Sequence, residues 1–172
     1  MKQLIIGGAR SGKSLYAETQ TQMFAEKNQQ QLIYLATATM NDSEMTTRVQ
    51  QHQLRRSDLW QLVEEPLDLA SVINTYNTNS SCILIDCLTL WLTNCLMQKN
   101  SWPLLKDKFI EAFMASEASI FLVSNEVGSG VVPMGELSRQ FVDETGSLHQ
   151  LLGTLCDQLT LVVAGFPMQL KA

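Results

Sequence analysis

The sequence predicts an α/β fold, a mainly parallel β-sheet flanked by helices, on three observations. Short apolar runs such as Leu32-Ile33-Tyr34-Leu35-Ala36, Cys82-Ile83-Leu84-Ile85 and Ile120-Phe121-Leu122-Val123 recur along the chain. They alternate with longer stretches of helical character, which is the order of strands joined by helical crossovers. No linker-like stretch, internal repeat or low-complexity segment interrupts that alternation, so residues 1–172 are expected to form a single domain.

The first element decides the class. Leu4-Ile5-Ile6 reads as a strand and runs directly into Gly7-Gly8-Ala9-Arg10-Ser11-Gly12-Lys13-Ser14, after which Leu15-Tyr16-Ala17-Glu18 opens a stretch with no helix breaker. Strand, Gly-x-x-x-x-Gly-Lys-Ser, helix is the order of a phosphate-binding loop. Gly7 and Gly12 permit backbone angles that let successive amides turn inward, and the positive end of the following helix adds to their pull on a polyphosphate. Lys13 is expected on the β- and γ-phosphates and Ser14 on Mg²⁺. The fold class is therefore P-loop NTPase-like, of RecA-like architecture, and the ligand a nucleoside triphosphate. A chance Gly-rich turn is the competing reading, and it must explain all four fixed positions in the right context.

The helix after the loop is expected over about 13–27, with Leu15, Ala17, Met23 and Phe24 partly on one side. Leu32–Ala36 follows as a strand, and its end carries Thr37-Ala38-Thr39, where ligands of a parallel sheet collect. Asn41-Asp42-Ser43 offers caps for a helix from about Glu44 to Arg56. Trp60–Glu64 reads as a short strand and Pro66 as the opening of a helix to about Tyr76. Cys82–Asp86 is a strand ending in an acid, the usual second holder of Mg²⁺ in a P-loop enzyme, although Asp at that place is also a common helix cap. Helices are expected over 88–97 and about 103–116. Ile120–Ser124 is a further strand, followed by Asn125-Glu126-Val127-Gly128-Ser129-Gly130, whose glycines fit close backbone approach to a ligand or subunit, or a plain turn. A helix over about 136–156 and a last strand, Leu159–Val163, complete the reading.

On the 44–56 helix, Arg48, His52 and Arg56 are spaced four apart and share a face, with Arg55 close by. Neighbouring arginines disfavour the imidazolium, and neutral imidazole is the nucleophilic form. The same arginines can bind phosphate oxygens bidentately. His52 is thus a candidate nucleophile toward a nucleotide α-phosphate; a surface histidine on a basic face is the alternative, and spacing alone does not choose. His149, in an apolar helix, reads as structural.

Composition sets the outer bounds. A net charge of −5 with scattered Lys and Arg argues against a nucleic-acid groove. Cys82, Cys87, Cys95 and Cys156 have no metal spacing and lie in apolar runs, as reduced buried thiols do. With no leader pattern and no run of membrane-spanning length, a cytoplasmic protein is expected.

Taken together, Gly7–Ser14, Arg48-Val-x-x-His52 with Trp60 and Glu64, Leu84-Ile-Asp86-Cys-Leu-Thr with Thr93-Asn94, and Asn125-Glu-Val-Gly-x-Gly-Val-Val-Pro133 resemble the bifunctional adenosylcobinamide kinase / adenosylcobinamide-phosphate guanylyltransferase family of cobalamin biosynthesis. The resemblance runs from about Gln3 to Lys171. It implies a guanylylated His52, with Lys13 as the second catalytic residue. It also implies guanine-nucleotide contacts at Arg56, Ser57, Asp58, Leu59 and Glu64 and in the region from Thr37, and Mg²⁺ at Ser14 and Asp86. GTP and ATP are the implied nucleotides, adenosylcobinamide the implied corrinoid partner, and a homotrimer the implied assembly. The chain departs from the family's usual residues at Gln53, Ser57, Val142, Ser147 and His149. Lost arginines among them bear on affinity more than on reaction class. Two other classes compete: a GTPase-like switch, for which no Asn-Lys-x-Asp element is found, and a P-loop small-molecule kinase in which His52 is inert.

Overall fold

The computed structural model describes residues 1–38, 59–98 and 101–172. The helix expected over 44–56, and with it Thr39, Arg48, His52, Arg55, Arg56, Ser57 and Asp58, lies outside the described residues.

The elements run β1 (Lys2–Gly7), α1 (Lys13–Asn28), β2 (Gln31–Ala36), β3 (Trp60–Glu64), α2 (Leu69–Thr75), β4 (Ser81–Asp86), α3 (Leu88–Met97), α4 (Trp102–Ala115), β5 (Ser119–Asn125), α5 (Glu136–Leu155), β6 (Gln158–Val163) and β7 (Phe166–Lys171). The strands form one seven-stranded sheet in the order β3-β2-β4-β5-β1-β6-β7. All its pairings are parallel except β6 with β7. Because β1 is flanked by β5 and β6 and β4 by β2 and β5, the loop after β1 and the acid ending β4 share one edge of the sheet, one strand apart.

The interior strands β1, β2, β4 and β5 are buried on both faces, which is why they read as continuous apolar runs. One face, with Leu4, Ile33, Leu35, Ile83, Ile85, Ile120 and Leu122, packs under α2 to α5 and around Trp91, Phe109 and Phe113. The other, with Ile5, Leu32, Tyr34, Leu84, Phe121 and Val123, is covered by α1.

That covering agrees with the expectation at Ala17 and at Phe24, which packs against this face, and differs elsewhere. Leu15 and Met23 are exposed, and α1 buries Lys13, Ala17, Thr21 and Ala25, spaced four apart. Small side chains let the helix lie close to the sheet, with Thr21 returning its hydroxyl to the carbonyl of Ala17 at 2.7 Å. The helix expected from Pro66 starts instead at Leu69, because Asp68 caps it by accepting from the backbone N–H of Ser71.

A larger difference is β7, which sequence reading omits. Ala164 and Gly165 form a two-residue connection with φ of 51° and 85°, the doubly positive geometry of a type I′ hairpin. Ala-Gly is not the usual signal for it, and Pro167 argues against an interior strand. On the sheet edge the proline is tolerated, and Ala164 takes its positive φ at some cost.

Candidate active site

The phosphate-binding loop is built by close approach of three chain segments. A Cβ on Gly7 would lie 2.5 Å from both the carbonyl oxygen of Val162 and Oγ of Ser11, so no side chain fits there. Gly12, at φ 91°, is the N-cap of α1, and Arg10 also takes a left-handed φ, of 57°. A Cβ on Gly12 would come within 3.3 Å of Cα of Gly165. The N–H of Gly165 donates to the carbonyl of Ser11 at 2.7 Å, and that of Ser11 to Gly8 at 3.2 Å. Gly8, Ala9 and Arg10 are exposed at the crest. No side chain caps α1 and no acid occupies its first turn, so its free amides and dipole are left to an anion.

Lys13 is 9% exposed and its Nζ donates to the carbonyl of Gly8 at 3.3 Å. The ammonium is thus folded against the loop's own backbone, over the place where loop amides gather a polyphosphate. Ser14, half-buried, follows in the first turn of α1.

Asp86 ends β4 and is half-buried; its Oδ2 accepts from the phenol of Tyr34 at 2.9 Å. A serine hydroxyl and a carboxylate are hard oxygen donors suited to Mg²⁺. Among the described residues there is no group of three or more His, Cys, Asp or Glu able to cage a metal. That donor pair fits Mg²⁺ completed by phosphate oxygens and water.

Register places Ala36 opposite Asp86 on one side and Glu64 on the other, so both acids stand level at the same sheet edge. Glu64 is exposed there, Ala38 is half-buried and Leu59 is 60% exposed. Thr37 is different. It is fully buried, its hydroxyl donates to the carbonyl of Cys87 at 2.8 Å and accepts from the N–H of Cys87 at 2.9 Å, and its carbonyl accepts from Asn94. Its side chain locks β2 to the start of α3 and does not face a ligand.

Residues 3–170 match the family described as "Cobinamide kinase / cobinamide phosphate guanyltransferase". The chain belongs to this family. Among curated relatives, it is 45% identical to the bifunctional adenosylcobalamin biosynthesis protein CobP of Pseudomonas aeruginosa, over 99% of this chain and 98% of that one. It is 33% and 31% identical to the proteins named CobU of Salmonella typhimurium and Escherichia coli, over 99% of this chain and 100% of each relative. Among solved structures, the flagellar accessory protein FlaH of Methanocaldococcus jannaschii is similar with a TM-score of 0.56 at 14% identity, covering 99% of this chain and 77% of that one. That likeness concerns the fold, which is P-loop NTPase-like and RecA-like.

Segments on which the family resemblance was read converge in space. The N–H of Glu126 donates to the carbonyl of Gly7 at 3.0 Å, tying the loop after β5 to the phosphate-binding loop. Asn125 donates to the hydroxyl of Thr89 at 3.0 Å, which bridges β5 to α3. Thr93, Pro133 and Val142 line one largely apolar recess of about 270 Å³, with Leu96, Leu137 and Phe141. His149, where the family commonly has Asn, pairs its Nε2 with Oγ of Ser124 at 2.7 Å. Ser124 is 1% exposed and His149 half-buried, and the pair ties α5 to the end of β5. Burial lowers the His149 pKa, against an opposing pull from Glu126. All four cysteines are free and buried, and burial pushes the thiols of Cys82, Cys95 and Cys156 up to about 12.

Sequence reading missed Tyr34 as a site residue. It was visible only as part of a strand, and the one available signal was a polar-tipped aromatic in a buried run next to the strand that ends in Asp86.

Proposed function

We propose that this protein is a bifunctional enzyme that phosphorylates adenosylcobinamide with ATP or GTP. It then transfers GMP from GTP to adenosylcobinamide phosphate through a guanylylated His52, giving adenosylcobinamide-GDP. The observation that carries the reading is a family match spanning residues 3–170, on a chain whose phosphate-binding loop is already shaped for a polyphosphate.

In the kinase step the loop amides from Gly8 to Ser14 and the ammonium of Lys13 bind the nucleotide's phosphates. Lys13 exchanges its bond to the Gly8 carbonyl for the stronger charge-assisted bond to phosphate oxygen. The substrate hydroxyl attacks the γ-phosphorus as the bond to the β–γ bridging oxygen breaks. Ser14 and Asp86 would hold Mg²⁺, which when bound neutralises charge on the phosphate oxygens.

In the second step neutral His52 attacks the α-phosphorus of GTP, forming a P–N bond as pyrophosphate leaves. A phosphate oxygen of adenosylcobinamide phosphate then attacks the same phosphorus and breaks the P–N bond, which regenerates His52. Two easier displacements replace one difficult one, and ping-pong kinetics follow. Arg56, Ser57, Asp58, Leu59 and Glu64, with Ala38 and Thr39, are the proposed guanine-nucleotide contacts. Thr37 would contribute backbone only, since its side chain is engaged with Cys87.

A cytoplasmic homo-oligomer belongs to the same reading. No described helix is long and apolar enough to cross a membrane, and the exposed Phe166, Met168 and Leu170 of edge strand β7 offer a surface for self-association. The test is chromatographic. Parent protein given adenosylcobinamide, GTP and Mg²⁺ should yield adenosylcobinamide-GDP, with adenosylcobinamide phosphate accumulating in a His52→Ala variant. Failure of the parent to convert the corrinoid would overturn the reading.

A further inference from the structure

We propose that Tyr34 is a positioning residue for Asp86, holding that carboxylate in the orientation used toward the nucleotide-bound metal. This rests on the reading of Asp86 as a Mg²⁺ ligand. Asp86 terminates β4, and a carboxylate at a strand end is free to turn about its side-chain bonds unless something holds it. Tyr34 is placed to do so from the neighbouring strand. It pairs in register with Leu84, two residues before Asp86, and Leu84 and Asp86 alternate onto one face. Its phenol therefore reaches along that face to Oδ2 of Asp86 at 2.9 Å.

The phenol is itself held. Tyr34 is 3% exposed within the core beneath α1, and its ring makes a T-shaped contact with Trp60 on β3, centroids 5.8 Å apart. A donor fixed by packing constrains its acceptor, whereas a surface donor follows it. The chemistry of the donor matters too. A neutral hydroxyl engages one carboxylate oxygen without placing a positive charge beside a cation site, as lysine or arginine would. Outer partners of this kind orient metal ligands, and removing them costs on the order of 10-fold in metal affinity.

A purely structural role, in which Asp86 merely satisfies a buried phenol, makes a different prediction, and Tyr34→Phe separates the two because it keeps the ring. Mn²⁺ binding would be followed by electron paramagnetic resonance on the full-length protein saturated with guanosine 5′-(β,γ-imido)triphosphate. The parent, Tyr34→Phe and Asp86→Asn would be compared. Tyr34→Phe is expected to bind Mn²⁺ on the order of 10-fold more weakly than the parent, and Asp86→Asn more weakly still. Nucleotide affinity in EDTA should be unchanged in Tyr34→Phe. If Tyr34→Phe binds Mn²⁺ like the parent while Asp86→Asn does not, the positioning role falls and the Asp86 reading stands. If Asp86→Asn also binds like the parent, both fall. Equal weakening of nucleotide binding with and without metal would point to a disturbed loop and overturn the proposal.

Discussion

The backbone N–H of Gly165 donates to the carbonyl of Ser11 at 2.7 Å, so the turn of the C-terminal hairpin is bonded to the phosphate-binding loop. Gly165 has φ 85° and stands against Gly12, which caps α1 at φ 91°. A hairpin on the sheet edge thereby buttresses the loop proposed to hold the nucleotide. Gly165→Ala should cost about 1 kcal/mol through the left-handed backbone and weaken GTP binding by shifting Ser11. Ala164, at φ 51°, bears a similar strain already, so Ala164→Gly should stabilise by several tenths to about 1 kcal/mol. Thermal denaturation and equilibrium GTP binding test both, and a Gly165→Ala variant equal to its parent in both would refute the buttress.

Lys13 gives the sharpest separation of stability from activity. Its ammonium is nearly buried with a loop carbonyl as its hydrogen-bond acceptor, an arrangement that serves a ligand better than the fold. Lys13→Ala should lower kcat/KM of corrinoid phosphorylation by on the order of 10²-fold or more, with little loss of thermal stability. A large fall in melting temperature with activity per folded molecule retained would contradict this assignment.

His149 predicts a pH dependence of stability. Burial against Ser124 lowers its folded-state pKa below the ordinary value of 6.5. The unfolded chain then binds the proton more readily than the folded one. The stabilising difference is fully present above 6.5 and is lost as the pH falls through that value toward the folded pKa. The melting temperature should decline between about pH 7 and pH 5 less steeply in His149→Asn than in the parent. Identical slopes would show that another group titrates.

The cysteines predict silence. Each is buried, and desolvation raises every thiol pKa, with Cys87 pushed up to about 11. Thiolate is the reactive form. Native protein should leave an aromatic disulfide reagent unconsumed over minutes, and denatured protein should titrate all four. Rapid labelling of native protein would mean that one of these core positions opens readily.

How much of this was legible in the sequence follows from the range of each interaction. Gly7–Ser14 could be read because strand, turn and helix start within a few residues and the chemistry is local. Asp86 could be read because a strand end is a local event. Tyr34 could not, since its partner is 52 residues away across a strand pairing. Thr37 was placed at the right edge, but its bonds to Cys87, 50 residues on, turn the side chain into a fold contact. Of the buried stripe on α1, Ala17 was legible but Thr21 and Ala25 were not, because close packing of α1 asks for small residues where large apolar ones were sought. Strand β7 escaped because its turn uses an alanine where the backbone geometry favours asparagine or glycine.

The most direct test of the central claim is the mass of the intact protein after incubation with GTP and Mg²⁺, beside His52→Ala treated identically. The account predicts a GMP-sized, acid-labile adduct on the parent and none on the variant. A well-folded parent that gains no adduct, or a variant that still gains one, would contradict guanylyl transfer through His52. A parent without the adduct that still phosphorylates the corrinoid would be a P-loop kinase alone.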